Sequence, residues 1–193
     1  MISAIILAAG ESKRMGQPKM LLPWGDTTVL GKVIETFKDA GIEDILVVTG
    51  GATAKVTSIA ARHGVHSAYN ESYSGGDMLS SVQCGLRALS LQTHAALIAL
   101  GDQPQVEVGS VLLIADEYMR TESSLIVPSY QLRRGHPWLI ARELWNEILQ
   151  MKAPDSLRDF LNRHAHEIHY IELNTPTILQ DLDTPEDYLK SHP

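Results

Sequence analysis

Short apolar runs alternate with amphipathic stretches along the chain, which predicts an α/β fold: a mainly parallel sheet with helices on both faces. The runs at 5–7, Asp44–Thr49 and Ala95–Leu100 are near-continuous and of strand length, the pattern of strands buried on both sides. Between them apolar residues recur at helical spacing, as at Leu30, Val33, Ile34 and Phe37. Gly50, Gly51, Gly101 and Pro104 then stop the runs at polar loops.

Each element follows from the same reading. Ile5, Ile6 and Leu7 form the first strand, which empties into Ala8, Ala9 and Gly10, residues small enough for another molecule to approach the backbone. The helix through Leu30 and Phe37 closes at Gly41, a C-terminal cap. The strand Asp44–Thr49 follows, then a helix over 53–63 and a strand over 65–69. Residues 70–77, NESYSGGD, are a polar loop, and Met78, Val82, Leu86 and Leu89 mark the next helix. After Ala95–Leu100 a helix runs through Val111, Ala115 and Tyr118, and a strand over 124–127 ends at Pro128. Residues 130–137 form a loop, Trp138–Ala141 return as a strand, and Leu144, Trp145, Ile148 and Leu149 make a helical face. Residues 157–161 are helical, 168–173 and 178–182 are late strands, and Pro185 opens a last helix at its first turn.

Composition narrows the class. A chain of 193 residues suits one well-cored domain spanning 1–193, and 44% hydrophobic with 20% charged content is that of a globular protein. A net charge of −7 argues against a general nucleic-acid binder, yet leaves room for a locally basic loop. Cys84 stands alone, so no disulfide framework or zinc cluster is expected. No apolar run nears the ~18 residues of a membrane span, and the first residues lack a signal-peptide pattern; a cytoplasmic location is the expectation.

In parallel sheets, ligands sit beyond the carboxyl ends of the strands, so the polar loops there hold the candidate site. The first of them, LAAGESKRMGQPK, combines small residues with Lys13, Arg14 and Lys19. Backbone N–H groups in such a loop make an anion nest, and the cations suit a triphosphate. It is neither a P-loop, lacking Gly-Lys-Ser/Thr, nor a G-x-G-x-x-G dinucleotide fingerprint. Asp102 follows the strand Ala95–Leu100 directly. Asp181 and Asp183 flank Leu182, and period two puts them on one side of a regular strand, with Asp183 nearer its end. Magnesium takes one or two carboxylates with phosphates and water, so Asp102 and Asp183 facing the cationic loop would suit it. Each also has a structural role open to it, as a turn or N-cap residue. His136, beside Arg133 and Arg134, contacts substrate or caps a turn; Ser80 and Ser81 bond a ligand or cap a helix.

The ordered set of motifs resembles a known family. Leu7-Ala8-Ala9-Gly10-x-Ser12-x-Arg14-Met15-Gly16-x-x-Lys19-x-Leu21-Leu22-Pro23 is similar to the signature of the MobA-like nucleotidyltransferases related to molybdenum cofactor cytidylyltransferase. The match continues through Asn70, Gly76, Ser80 and Ser81, then Gly101-Asp102-Gln103-Pro104, Gly135-His136-Pro137 and Asp181-x-Asp183-Thr184-Pro185-Glu186-Asp187-Tyr188. The resemblance implies a three-layer Rossmann-like nucleotidyltransferase fold and magnesium-dependent transfer of CMP from CTP to a phosphate-bearing acceptor, molybdopterin first. It implies nucleotide binding by Leu7, Ala8, Ala9, Gly10, Arg14, Lys19, Asn70, Ser80, Ser81 and Asp102, with Arg14, Lys19 and Asp102 catalytic. It further implies a metal held by Asp102 and Asp183, an acceptor touched by His136, and a molybdoenzyme that receives the product. A sugar- or polyol-phosphate acceptor, or a non-catalytic cofactor-delivery protein, is the alternative. Two segments depart from the family pattern: Ala153-Pro154-Asp155-Ser156-Leu157-Arg158, and a loop Ser74-Gly75-Gly76-Asp77-Met78 that is one residue longer and adds an acid.

Overall fold

The computed structural model describes residues 1–75 and 78–193, so Gly76 and Asp77 of the long loop lie outside the described residues. In chain order the strands are β1 (Ile2–Ala8), β2 (Pro23–Trp24), β3 (Thr27–Thr28), β4 (Asp44–Thr49), β5 (His66–Tyr69), β6 (Ala95–Leu100), β7 (Leu125–Tyr130), β8 (Arg133–Arg134), β9 (Trp138–Ala141) and β10 (His169–Glu172). The helices are α1 (Val29–Asp39), α2 (Thr53–Arg62), α3 (Met78–Ala88), α4 (Val108–Thr121), α5 (Trp145–Gln150), α6 (Leu157–Arg163) and α7 (Pro185–Ser191).

One sheet carries the order β10-β7-β9-β6-β1-β4-β5, with β8 paired to β7. β1 lies inside it, parallel to β4 and β6, with Ile6 opposite Val47 on one side and Ala99 on the other. β9 runs antiparallel to β6 and β7, so β7 and its parallel partner β10 point the same way as β1. The sheet is therefore mixed and mainly parallel, and Ala8, Tyr69, Leu100, Tyr130 and Glu172 all end at one edge of it.

Period two sorts the strand residues into two cores. Ala4, Ile6 and Ala8 pack with Phe37 of α1, Ile59 of α2 and Ile114 of α4. Ile5, Leu7 and Ala9 face Val82 of α3, Ile148 of α5 and Phe160 of α6. The result is the three-layer α/β/α arrangement that the apolar patterning predicts. A third, smaller cluster joins Met15, Leu22, Trp24 and Val29 to Leu182, with Tyr188 packed against it.

Three segments differ from the expectation. Residues 178–182 are not a strand: a 3-10 turn over Pro176–Leu179 precedes an irregular run. Proline at the start and the Thr175 cap fix the turn, and the Ile178 carbonyl accepts from the His136 N–H at 3.0 Å rather than joining a ladder. β7 runs through Pro128 to Tyr130. Pro128 is tolerated because β9 pairs only at Leu125 and Ile126, while the Pro128 carbonyl accepts from Gly135 N–H at 2.9 Å. The 130–137 loop contains β8, which returns on β7 around Gln131 (φ 50) and Leu132 (φ 63). Two left-handed residues give the hairpin its turn at about 1–2 kcal/mol each, since neither is glycine.

Gly85 of α3 faces β1, and a Cβ there would meet Ile5 Cγ2 at 2.5 Å. The Gly85→Ala variant is expected to lose about 1–3 kcal/mol of stability through overpacking, read as a lower urea midpoint at unchanged slope.

Candidate active site

The cationic loop leaves β1 and is held from both ends. Met15 sinks into the third core cluster, Ser12 takes a left-handed φ of 53, and Gly16 one of 66. The Ser12 hydroxyl accepts from the Lys19 N–H at 3.1 Å and closes the loop across its neck. Lys13 turns outward to Glu11 at 2.7 Å. Arg14 and Lys19 turn the other way.

The Lys19 ammonium is hydrogen-bonded to Asp102 and lies 3.3 Å from Asp183 Oδ1, while Arg14 meets Asp183 Oδ2 at 2.9 Å. Burial opposes the charge on Lys19, but Asp102 and then Asp183 outweigh it, so its pKa stands above the ordinary lysine value. Both acids reach this point through Leu182. That side chain is fully buried, and its N–H donates to the Asp102 carbonyl at 3.1 Å. Thr184, not Asp183, caps α7, accepting from Asp187 N–H while Asp187 bonds back. Asp183 is thereby left for the cations. Asp181 receives the Gln103 amide at 2.7 Å; burial first, then the charge of Asp102, pushes its pKa up.

These groups line a cleft of about 300 Å³ at the carboxyl edge of the sheet. Leu7, Ala9, Gly10, Ser81 and Leu100 share it. Ala8 does not: its side chain is in the opposite core layer. The Asn70 amide donates to the Ser80 and Ser81 hydroxyls, each at 3.0 Å, and its carbonyl accepts from Ser72 N–H. Ser81 faces the cleft, whereas Asn70 and Ser80 line a neighbouring groove with Cys84 and Arg87. Tyr73, Met78 and Asp181 also line the cleft. Tyr73 went unnoticed in the sequence because a lone tyrosine in a polar loop carries no periodic signal, and Met78 read only as a core residue of its helix.

His136 stands outside this cleft. Its ring stacks on Trp138, centroids 4.4 Å apart and planes at 18°, and its Nε2 is buried without a partner among the described residues. Burial lowers its pKa from 6.5 to about 4.

A divalent cation fits the donor chemistry at Lys19. Among the described residues no group of three or more His, Cys, Asp and Glu is arranged for a metal. Asp102 and Asp183 nonetheless converge on one cationic atom, and an oxygen pair completed by phosphates and water is what a small hard ion takes.

The profile of the MobA-like NTP transferase domain matches residues 4–168. The chain belongs to the MobA-like NTP transferase family. Molybdenum cofactor cytidylyltransferase of Escherichia coli (strain K12) is 28% identical over 97% of this chain and 94% of its own. Nicotine blue oxidoreductase of Paenarthrobacter nicotinovorans is 32% identical over 96% of this chain and 93% of its own. The crystal structure of Rv0371c from Mycobacterium tuberculosis H37Rv superposes with a TM-score of 0.85 at 28% identity, covering 98% of this chain and 96% of that one. Its manganese complex gives 0.81 at 26% identity, covering 99% and 97%. This MobA-like chain thus has the nucleotidyltransferase fold, and among its described residues no helix is long and apolar enough to cross a membrane.

The neutral His136 ring sets a pH signature. Its folded pKa lies below the unfolded value, so the unfolded chain takes up the proton first as pH falls. The stability it contributes is full above pH 6.5 and is lost between 6.5 and about 4. Calorimetry of His136→Phe, which keeps the stack on Trp138, should show a shallower fall in Tm across that window than the parent.

Proposed function

We propose that this chain moves CMP from CTP to the phosphate of an acceptor, molybdopterin cofactor, and releases pyrophosphate. The observation that carries the reading is the Lys19 ammonium shared by Asp102 and Asp183, with Arg14 beside it in one cleft. Relatedness to the cytidylyltransferase of Escherichia coli supports the base and the acceptor.

An acceptor phosphate oxygen attacks the α-phosphorus in line, so no protein nucleophile is needed, and positioning with charge neutralisation does the work. Backbone N–H groups of the loop from Gly10 to Gly16 hold the triphosphate. Arg14 binds the β and γ oxygens and steadies the leaving pyrophosphate; Lys19 neutralises the α-phosphate. Asp102 and Asp183 would hold magnesium, which when bound supplies Lewis-acid charge on the phosphate oxygens. Leu7, Ala9 and Ser81 flank the nucleoside, with Asn70 fixing the serine rotamer. On this reading His136, stacked on Trp138 outside the cleft, would seat the acceptor without carrying charge.

The 32% identity to an oxidoreductase favours a second reading, in which the same cations hold the diphosphate of a nicotinamide cofactor. The carboxylate pair around Lys19 has no task in that chemistry. Pyrophosphate release with each nucleoside triphosphate, magnesium and purified molybdopterin cofactor tests the first reading; consumption of NADH or NADPH tests the second. Lys19→Ala and Asp102→Ala are each expected to cost ~10²–10³ in rate, as loss of a transition-state donor does elsewhere. Near-parental turnover in both variants would remove the proposed site.

A further inference from the structure

Asp181 lines the cleft beside Lys19, Asp102 and Asp183, yet no step of the proposed reaction uses it. Leu182 turns its side chain into the third core cluster and leaves the acids on either side of it to face the cleft. Their partners differ. Asp183 takes Arg14 and Lys19. Asp181 forms no ion pair among the described residues and accepts instead from the Gln103 amide at 2.7 Å.

Gln103 sits on fixed ground. It is 3% exposed and directly follows Asp102. Its N–H donates to the Leu100 carbonyl at 3.3 Å, and its carbonyl accepts from Val106 N–H at 3.2 Å, so its backbone is tied to the end of β6. The side-chain nitrogen that reaches Asp181 also donates to the Ile178 carbonyl at 3.4 Å, the acceptor of the His136 N–H. The amide thereby grips the 178–181 segment at two points. Its oxygen is buried with no hydrogen-bond partner among the described residues. A half-satisfied amide weakens a core that methionine or leucine would fill without that penalty. Stability does not account for glutamine at this position; aiming the Asp181 carboxylate does.

What the aim prevents follows from charge and reach. A third carboxylate free to turn toward Lys19 would compete with substrate phosphate for the ammonium. It would also join Asp102 and Asp183 on a divalent ion. Magnesium in phosphate chemistry is held by one or two protein carboxylates, with its other positions left to phosphate oxygens and water. Three carboxylates would hold the ion more firmly before the nucleotide arrives and leave it fewer positions to offer.

We propose that Gln103 is a positioning residue: its amide ties the Asp181 carboxylate back from the Lys19, Asp102 and Asp183 cluster, so that the ion and the phosphates meet two carboxylates and not three. The inference rests on the nucleotidyl-transfer reading and adds to it the residue that fixes the number of carboxylates.

The test uses the full chain with Mn2+ as the probe, its binding followed by electron paramagnetic resonance without nucleotide. Gln103→Met keeps the length of the side chain and removes the donor. Gln103→Asn, which keeps an amide but shortens its reach by one methylene, is the second variant, and calorimetry establishes that each folds. Manganese should bind about tenfold more tightly to either, and kcat for pyrophosphate release should fall about tenfold or more, the scale on which groups behind metal ligands act. Adding Asp181→Asn to Gln103→Met removes the stray charge, and should return manganese affinity to the parental value and recover most of the lost rate. A glutamine that only supports the fold would lower stability and rate together, with no rescue at Asp181. Tightening that Asp181→Asn reverses, in a parent that releases no pyrophosphate, would keep the tether and remove the transferase reading. No manganese binding by the parent, affinity unchanged or weaker in the Gln103 variants, tightening that survives Asp181→Asn, or a parental kcat despite tightening each overturns the proposal.

Discussion

One backbone hydrogen bond holds the site together: the Leu182 N–H on the Asp102 carbonyl. It joins the loop after β6 to a segment that no strand supports, with the Leu182 side chain buried against Met15 of the cationic loop, Leu22, and Trp24 of β2. A single buried leucine therefore sets three distances at once, those among Lys19, Asp102 and Asp183. Lys19 and Asp183 are 164 residues apart in sequence, and nothing local brings them together. The capping box at Thr184 and the bond from the Tyr188 hydroxyl to the Pro23 carbonyl at 2.7 Å then fasten α7 over the same cluster.

The two faces of the sheet divide the labour. On one side α1, α2 and α4 bury the even residues of β1 in an apolar core. On the other, α3, α5 and α6 cover the odd residues, and that layer stops short of the sheet edge, leaving two openings. The antiparallel β9 is what widens the edge. It inserts between β6 and β7, brings Trp138 to the boundary, and separates the cleft from a pocket lined by Arg133, Arg134, Arg158 and Glu172.

Much of this was legible in the residues. The strands buried on both faces announce themselves because both covering layers demand apolar side chains, so β4, β6 and the antiparallel β9 fall where the patterning puts them. The grouping of Arg14, Lys19, Asp102 and Asp183 was readable from the rule that loops at strand ends meet. What stayed hidden depends on contacts that have no period. Residues 178–182 read as a strand because Ile178, Leu182 and the two aspartates alternate; the alternation is real, but it serves burial of Leu182 rather than a ladder. The β8 hairpin was invisible because Gln131 and Leu132 are not turn residues. The side chain of Ala8 follows the alternation of β1 into the opposite core layer, which leaves only its backbone for a ligand, and His136 gave no sign of which side of Trp138 it would take.

Around the Lys19 ammonium the carboxyl groups outnumber the bases, with Asp102, Asp181 and Asp183 set against Lys19 and Arg14. On the proposed nucleotidyl-transfer reading, such a surplus would repel a bare polyphosphate and admit one that arrives already neutralised by a counter-ion, a choice made by charge before any group is recognised by shape.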